Sequence, residues 1–217
     1  LDHCDAKTGG STSIVCKPFA VSTADASHKR SVTSLEWLPA GWEVTDRGRI
    51  RRAEAAAATG GSGRQRTFLT MAADGRMLVW DLRHAEEVAK NAAAAAHGGS
   101  SGSITAAAAD KDQKKRDAWT PALTLELVAP DGGLAPSCAL MSIEAPEAAD
   151  SSASVLAATD DGAIVGVDLG PAPSKNQRVV AAVAQAHTAQ CVALCRSPLL
   201  TDVHLSVGDW TISMWKR

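Results

Sequence analysis

Three octets of the sequence decide the fold: Asp74-Gly-Arg-Met-Leu-Val-Trp80-Asp81, Asp161-Gly-Ala-Ile-Val-Gly-Val167-Asp168 and Asp209-Trp-Thr-Ile-Ser-Met-Trp215-Lys216. Each octet begins with Asp and reaches a large apolar residue six positions later. Each also follows a short apolar stretch, at residues 67–72, 154–158 and 203–207. Alternation of apolar and polar residues on both sides of the Asp predicts a repeated unit of strand, tight turn and strand.

A histidine and a further alternating stretch precede the first and third octets. His28 comes before residues 32–39, and His187 comes before residues 191–198. The interval from His28 to Trp80 is much longer than the interval from His187 to Trp215. The excess is a stretch rich in Gly, Ala and Arg at about 42–66, which we interpret as a surface loop between the first and second strands of the unit.

This arrangement resembles the WD-repeat, in which blades of four antiparallel strands pack radially around a central channel. In such a blade a His can hydrogen-bond the Asp of the tight turn, and a strand hydroxyl and an indole N–H extend the network, so that buried polar groups find partners. Ser206 is the weakest candidate, because it lies one residue closer to its Asp than Thr70 does. The predicted network residues are His28, Thr70, Asp74 and Trp80 in the first unit, and His187, Ser206, Asp209 and Trp215 in the third.

The middle unit departs from this pattern. Ala157 stands where the strand hydroxyl is expected, Val167 replaces the Trp, and residues 119–140 contain no His. Such a blade can form through apolar packing alone, and we expect it to be the least regular of the three.

The predicted fold class is therefore all-β, a WD-repeat β-propeller represented by a partial set of about three to four blades with low-complexity insertions. Residues 28–83 are predicted to form a blade with an insertion at about 42–66, and residues 84–118 a flexible insert that opens with a helix-compatible stretch. Residues 119–169 are predicted to form a degenerate blade, and residues 179–217 a final blade that lacks its outer strand.

Composition excludes several classes of protein. The chain has 217 residues, with 24 acidic and 22 basic side chains, whereas a nucleic-acid-binding protein is expected to show a basic face. No apolar stretch of about 18 residues could cross a membrane. The five Cys stand at irregular spacings that fit no disulfide framework and favour a reducing compartment. The amino-terminal residues lack both Met and the layout of a signal peptide, so we expect an internal fragment.

No catalytic residue, metal site or cofactor is predicted. His28 and His187 have no cluster of Cys or carboxylates at metal-ligand spacing. Asp25, His28 and Ser31 lack the strand-to-helix elbow that a catalytic triad requires. Residues 60–63 lack the Lys-Ser/Thr pair of a phosphate-binding loop. The competing class, an enzyme built on a propeller, would require convergent titratable residues in the channel.

Two further predictions concern residues of the final unit. Cys191 and Cys195 are separated by three residues of an extended strand, so we expect their side chains on the same face, as packed thiols more readily than as zinc ligands. His204 is expected at a solvent-facing or edge position of its strand.

Several strings are similar to the dynein intermediate chains, a family of WD-repeat proteins. The final unit has Arg196-Ser-Pro198 and Val207-Gly-Asp-Trp210, and Trp210 stands where an ordinary WD-repeat has Gly. The first unit has Trp37-Leu-Pro39 and Trp80-Asp-Leu-Arg83. Ala20-Val-Ser22 and Trp119-Thr-Pro121 are more similar to the axonemal inner-arm, two-headed f-type members than to the cytoplasmic or outer-arm ones.

The resemblance implies a non-catalytic scaffold whose propeller binds the tail of a dynein heavy chain. The implied partners also include a second intermediate chain, light chains and, indirectly, the doublet microtubule, but no nucleic acid and no membrane. The implied location is the cytoplasm and cytoskeleton, in the axoneme of a cilium or flagellum. Alternatives are a cytoplasmic or outer-arm intermediate chain, or a generic WD-repeat adaptor.

Two features are candidate partner contacts. Trp210 at the tip of a turn could anchor an interface, since Trp is enriched in binding hot spots, or it could cover a neighbouring blade. The basic run on the first insertion could contact an acidic patch of the heavy chain or the microtubule, or it could be a solvated loop. Its members are Arg47, Arg49, Arg51 and Arg52.

Overall fold

The computed structural model describes residues 18, 20–45, 50–52, 65–97, 118–128, 138–144, 153–169, 177–200 and 202–216. The chain divides into two compact units, one formed by residues 1–23 and 84–119 and the other by residues 24–83 and 120–217. The described residues are mostly antiparallel β-sheet with one α-helix, which confirms the all-β class.

Thirteen strands and one helix follow each other along the described residues. The strands are β1 (Val32–Trp37), β2 (Trp42–Val44), β3 (Ile50–Arg52), β4 (Thr67–Ala72), β5 (Arg76–Asp81), β6 (Leu123–Val128), β7 (Cys138–Glu144), β8 (Ser154–Thr159), β9 (Ala163–Asp168), β10 (Gln177–Gln185), β11 (Cys191–Arg196), β12 (Val203–Gly208) and β13 (Thr211–Lys216). The helix α1 (Leu82–His97) follows β5.

The strands form three antiparallel meanders within the second unit. The first meander has the order β1-β4-β5-β6, the second β7-β8-β9-β10, and the third β11-β12-β13. The beginning of β10 also pairs in parallel with the end of β6, from Gln177 opposite Glu126 to Val179 opposite Val128, and this joins the first two meanders into one eight-stranded sheet. The remaining pair, β2 and β3, forms a small separate hairpin.

A β-bulge recurs at the same place in all three meanders. The register shifts near the start of β1, β7 and β11, between Val32 and Ser34, between Cys138 and Leu140, and between Cys191 and Ala193 respectively. A bulge inserts one unpaired residue and increases the local twist of the strand. The three meanders therefore share a detail of register as well as an order of strands, as expected for a structural repeat.

Apolar side chains join the meanders face to face. Buried residues of the first meander, including Leu69 and Val79, form one cluster with Val155 and Val167 of the second. The opposite face of the second meander contributes a second cluster with Cys191 of the third, against which Leu194 and Trp215 pack. The second meander is therefore covered on both faces, which explains its almost continuous apolar sequence.

Two strands belong to different sheets from those that the predicted blade boundaries imply. Residues 123–128, predicted to begin the degenerate blade at 119–169, form β6 at the edge of the first meander. β10, most of which falls in the final blade predicted at 179–217, pairs with β9 in the second meander. In the first two meanders, residues 82–122 and 169–176 separate the fourth strand from the third, so the position of the fourth strand in the sequence does not show which sheet it joins.

The insertion predicted at about 42–66 contains a hairpin that reaches the core. β2 and β3 lie within it, and Trp42, Val44 and Ile50 are buried in the same cluster as the first two meanders. Alternation places these three side chains on one face of the hairpin, where they contribute apolar area to the core. Residues 53–64 of the insertion lie outside the described part of the chain.

The insert predicted to be flexible at 84–118 contains most of helix α1. Asp81 caps this helix, because its carboxylate accepts a hydrogen bond of 2.8 Å from the backbone N–H of Arg83. The many Ala residues of α1 favour a helix, and Ala85 and Val88 are buried on one of its faces. Residues 98–117 of the insert lie outside the described part of the chain.

Candidate functional site

The first meander contains a continuous network of hydrogen-bonded side chains. Trp80 Nε1 donates to Thr70 Oγ1 at 2.8 Å, and His28 Nε2 lies 3.0 Å from the same oxygen. The other ring nitrogen, His28 Nδ1, lies 3.1 Å from Asp74 Oδ1. His28 therefore joins the carboxylate of the tight turn to the hydroxyl of β4, with one ring nitrogen at each.

Asp74 connects this network to the backbone of two segments. Its carboxylate accepts hydrogen bonds from the N–H of Lys29 at 2.8 Å and of Arg76 at 3.2 Å, and it forms an ion pair with the Arg76 guanidinium. Burial alone would raise the pKa of Asp74. The hydrogen bonds from Lys29, His28 and Arg76, together with the charge of His28, outweigh burial and hold that pKa below its ordinary value.

The lowered pKa of Asp74 predicts a loss of stability in acid. A carboxyl whose pKa is lower in the folded protein than in the unfolded chain stabilises the fold above the unfolded value, about 3.9 for Asp, and loses this contribution as pH falls through the folded value. We expect Asp74→Asn to lower the free energy of unfolding at pH 7, and the difference from the wild type to narrow below pH 4. Urea denaturation of both proteins between pH 7 and pH 2.5 measures this difference. A constant difference over that range would contradict the prediction.

The third meander repeats the hydroxyl part of the network. Trp215 Nε1 donates to Ser206 Oγ at 2.8 Å, and His187 Nε2 lies 2.9 Å from that oxygen. Ser206 and His187 are both buried. Thr70 and Ser206 each stand fourth in their strands, and Trp80 and Trp215 each stand fifth. The same geometry therefore arises twice from the same strand positions.

Asp209 does not complete the third network as predicted. His187 Nδ1 lies 3.0 Å from Thr211 Oγ1, and Asp209 instead accepts hydrogen bonds from the backbone N–H of Thr188 at 2.6 Å and from its hydroxyl at 3.0 Å. These bonds lower the pKa of Asp209, with the Thr188 backbone N–H as the main cause. Thr211 is a network residue that sequence reasoning missed.

The length of the turn explains this correction. Three residues, 73–75, connect β4 to β5, whereas only Asp209 and Trp210 connect β12 to β13. The shorter turn places Asp209 at a positive φ of 53°, which is uncommon for a residue other than Gly. The signal was present in the sequence, because the spacing from Ser206 to Asp209 is one residue shorter than the spacing from Thr70 to Asp74.

The second meander has apolar side chains at the corresponding positions. Ala157 and Val167 are both buried, fourth and fifth in β8 and β9. All four strands of the second meander are present and paired. This meander therefore departs from the predicted pattern in the side chains at these positions and not in its strands. Thr159 closes the tight turn instead, because its hydroxyl bonds the Asp161 carboxylate and accepts from the N–H of Ala163 at 2.8 Å.

A loop and a turn interlock the second and third meanders. The carbonyl of Gly162 accepts hydrogen bonds from the N–H groups of Ala186 at 3.1 Å and His187 at 3.0 Å. Gln185 Nε2 donates to the carbonyls of Asp161 at 2.6 Å and His187 at 2.9 Å. The sequence showed no sign of the two Gln185 contacts, since glutamine is not a member of the repeat pattern. This interlock positions His187 for its bond to Ser206.

Gly162 is required by this close approach. A Cβ atom at this position would lie 2.4 Å from the carbonyl oxygen of His187 and 2.5 Å from that of Ala189, and Gly162 has a positive φ of 86°. Gly208 meets the same loop, because a Cβ there would lie 2.6 Å from His187 Cγ. The backbone of this loop thus packs against Gly162, and the ring of His187 packs against Gly208.

The network residues hydrogen-bond one another and the neighbouring backbone. In the first network each polar atom named above faces another side chain or a backbone N–H. Within the described part of the chain, no three His, Cys, Asp or Glu side chains are grouped so that they could hold a metal ion. The described residues also include no helix that is both long and apolar enough to span a bilayer.

Two predictions about the third meander are wrong. Cys191 is buried whereas Cys195 is exposed, because the bulge between Cys191 and Ala193 interrupts the alternation and moves the two side chains to different environments. His204 is buried and lies on the central strand of its sheet, because alternation places it on the same covered face of β12 as Ser206. Burial also raises the pKa of the Cys191 thiol.

The candidate partner contacts differ in how much the structure describes of their position and exposure. Trp210 is 99% exposed at the turn between β12 and β13. Arg51 and Arg52 belong to β3, where Arg51 lies opposite Glu43 in the hairpin. Arg47 and Arg49 fall outside the described residues. Trp210 is therefore the candidate whose exposure the structure shows directly.

A scan against protein-family models finds no match to this chain, and a search of curated proteins finds none either.

Proposed function

We propose that this chain is part of a WD-repeat β-propeller that acts as a non-catalytic scaffold subunit of an axonemal dynein. The observation that carries the proposal is the recurrence of the His, hydroxyl and indole network in the first and third meanders. A WD-repeat uses residues of these types to fix each blade, and here His28, Thr70 and Trp80 correspond to His187, Ser206 and Trp215.

The arrangement of the meanders supports a propeller rather than another antiparallel fold. The first strands of the three meanders lie beside one another, β1 against β7 and β7 against β11. The meanders also pack face to face in the order of the sequence. In a propeller, blades related in this way place their first strands around a central channel.

Resemblance of short strings supports the dynein assignment. Val207-Gly-Asp-Trp210 is similar to the dynein intermediate chains, and its Trp is fully accessible. The propeller would bind the heavy-chain tail, beside a second intermediate chain and light chains, and help to assemble and dock an inner arm on the doublet microtubule and to regulate ciliary motility. The alternatives remain a cytoplasmic or outer-arm intermediate chain and a generic WD-repeat adaptor.

Trp210→Ala tests the proposed contact with the heavy chain. We expect at least a tenfold loss of heavy-chain recovery when the tagged chain is captured from axonemal extract, since an exposed indole gains its packing only in the complex. Immunoblotting for dynein heavy chain measures the recovery, and a melting curve checks that the variant folds.

Leu199→Ala is the matched control for this experiment. Leu199 is 89% exposed in the loop between β11 and β12, at the other end of the same meander. Its substitution should leave heavy-chain recovery unchanged. Equal recovery with wild type and Trp210→Ala would exclude Trp210 as the contact, and absence of heavy chain from every capture would argue for an adaptor outside dynein.

A further inference from the structure

Trp210 depends on the backbone of its turn for its orientation. Its side chain is 99% exposed and so gains almost no packing within the chain. The turn consists of Asp209 and Trp210, and the pair of Gly208 and Thr211 closes it at the ends of β12 and β13. A partner therefore meets the indole at a defined place only when the backbone of this turn is fixed.

A hydrogen-bonded carboxylate fixes this turn at a strained position. Asp209 has a φ of 53°, in the left-handed region that favours Gly. Another residue keeps such a backbone only when its surroundings hold it there. The Asp209 carboxylate provides this hold, because it accepts hydrogen bonds from the backbone N–H of Thr188 at 2.6 Å and from the Thr188 hydroxyl at 3.0 Å. The same bonds lower the pKa of Asp209, so the carboxylate is charged at neutral pH.

The loop before β11 is itself fastened to the second meander. Gln185 Nε2 donates to the carbonyl of Asp161 at 2.6 Å and to that of His187 at 2.9 Å. The ring of His187 packs against Gly208, where a Cβ would lie 2.6 Å from the ring. Contacts therefore run from the tight turn of the second meander, through this loop, to the two residues that precede Trp210.

The first meander has the same anchor without an exposed aromatic residue. Asp74 accepts a hydrogen bond of 2.8 Å from the backbone N–H of Lys29, as Asp209 does from Thr188. The turn at 73–75 carries no large side chain. In the first meander this bond fixes the turn to its loop, whereas in the third meander it also fixes the backbone that carries an indole.

We propose, on the basis of the contact between Trp210 and the heavy chain proposed above, that Asp209 and Gln185 are positioning residues for that contact. Asp209 fixes the turn to the loop, and Gln185 fixes the loop to the second meander. A group that is already fixed loses little conformational freedom when a partner binds, and this raises affinity. The two residues thus act on the partner through the position of Trp210.

Backbone order at Trp210 tests the positioning without dynein. We expect the NMR order parameter of its N–H to be about 0.85, the value of a rigid backbone, in the wild type and below about 0.6 in Asp209→Gly. Glycine relieves the strain of the positive φ, so this variant should melt close to the wild type although its turn is loose. Gln185→Ala should also lower the order parameter. Unchanged order in either variant would overturn the proposal and leave the contact at Trp210 unaffected.

Capture of the heavy chain tests what the positioning achieves. Both variants retain the indole, yet we expect heavy-chain recovery from axonemal extract to fall roughly three- to tenfold. In a Trp210→Ala background, Gln185→Ala should cause no further loss, and a further loss there would overturn the proposal. Thr33→Val is the matched control, because it removes a hydroxyl bond to the Met71 carbonyl in the first meander and should change neither order nor recovery. If order falls but recovery is unchanged in every variant, Trp210→Ala included, the contact at Trp210 is refuted and the proposal with it.

Discussion

Gly162→Ala is expected to lower the free energy of unfolding by roughly 3–5 kcal/mol, more than any other single substitution proposed for this chain. A residue with a Cβ is strained at the positive φ of this position, at a cost of roughly 1–2 kcal/mol. The methyl group would also overlap the carbonyl oxygens of His187 and Ala189, so the loop must move. Moving it breaks hydrogen bonds to the Gly162 carbonyl, each contributing roughly 1 kcal/mol.

Gly41→Ala is a matched control for this substitution. Gly41 has the same φ of 86°, and a Cβ there would meet no atom within 4 Å. Its substitution should therefore cost only the strain, roughly 1–2 kcal/mol. Guanidinium denaturation of the wild type and the two variants measures both changes. Equal losses would show that the contact between the turn at 160–162 and the loop at 186–189 contributes nothing to stability.

Thr70→Val should have the second largest effect, roughly 2–4 kcal/mol. Valine preserves the shape of threonine but removes the oxygen shared by the Trp80 indole and the His28 ring. Two polar atoms inside the first network would then lack a hydrogen bond, and each such atom costs roughly 1–3 kcal/mol. Urea denaturation at pH 7 measures the loss.

Thr70→Ser isolates the role of the hydroxyl. Serine keeps the oxygen and loses one methyl group, so about 1 kcal/mol of stability should be lost. Ser206 shows that serine can fill this position, since it bonds both His187 and Trp215 in the third meander. Valine keeps the methyl group that serine loses, so a loss with valine no larger than the loss with serine would contradict the predicted contribution of the two hydrogen bonds.

Local pattern was sufficient to predict the strands around each tight turn. β4, β5, β8, β9, β12 and β13 lie where the three octets and the apolar stretches before them predict strands. The same spacing identified four candidate members of one network, and in the structure all four are joined by hydrogen bonds. They are His28, Thr70, Asp74 and Trp80. These features depend on alternation and on turns of two or three residues, which are encoded by neighbours in the sequence.

Contacts between distant segments were decided only by the tertiary structure. β6 and β10 follow long connections, so only their partners β5 and β9 show which meander they complete. The hairpin of β2 and β3 was not predicted, because its three apolar residues that reach the core stand among polar residues in the sequence. Thr211, and not Asp209, is the partner of His187 Nδ1, because the turn is shorter by one residue and the Asp209 carboxylate bonds elsewhere. The bulge in β11 places Cys195 on an exposed face. In each case a shift of one residue, or a contact across the fold, changed which side chain met which partner.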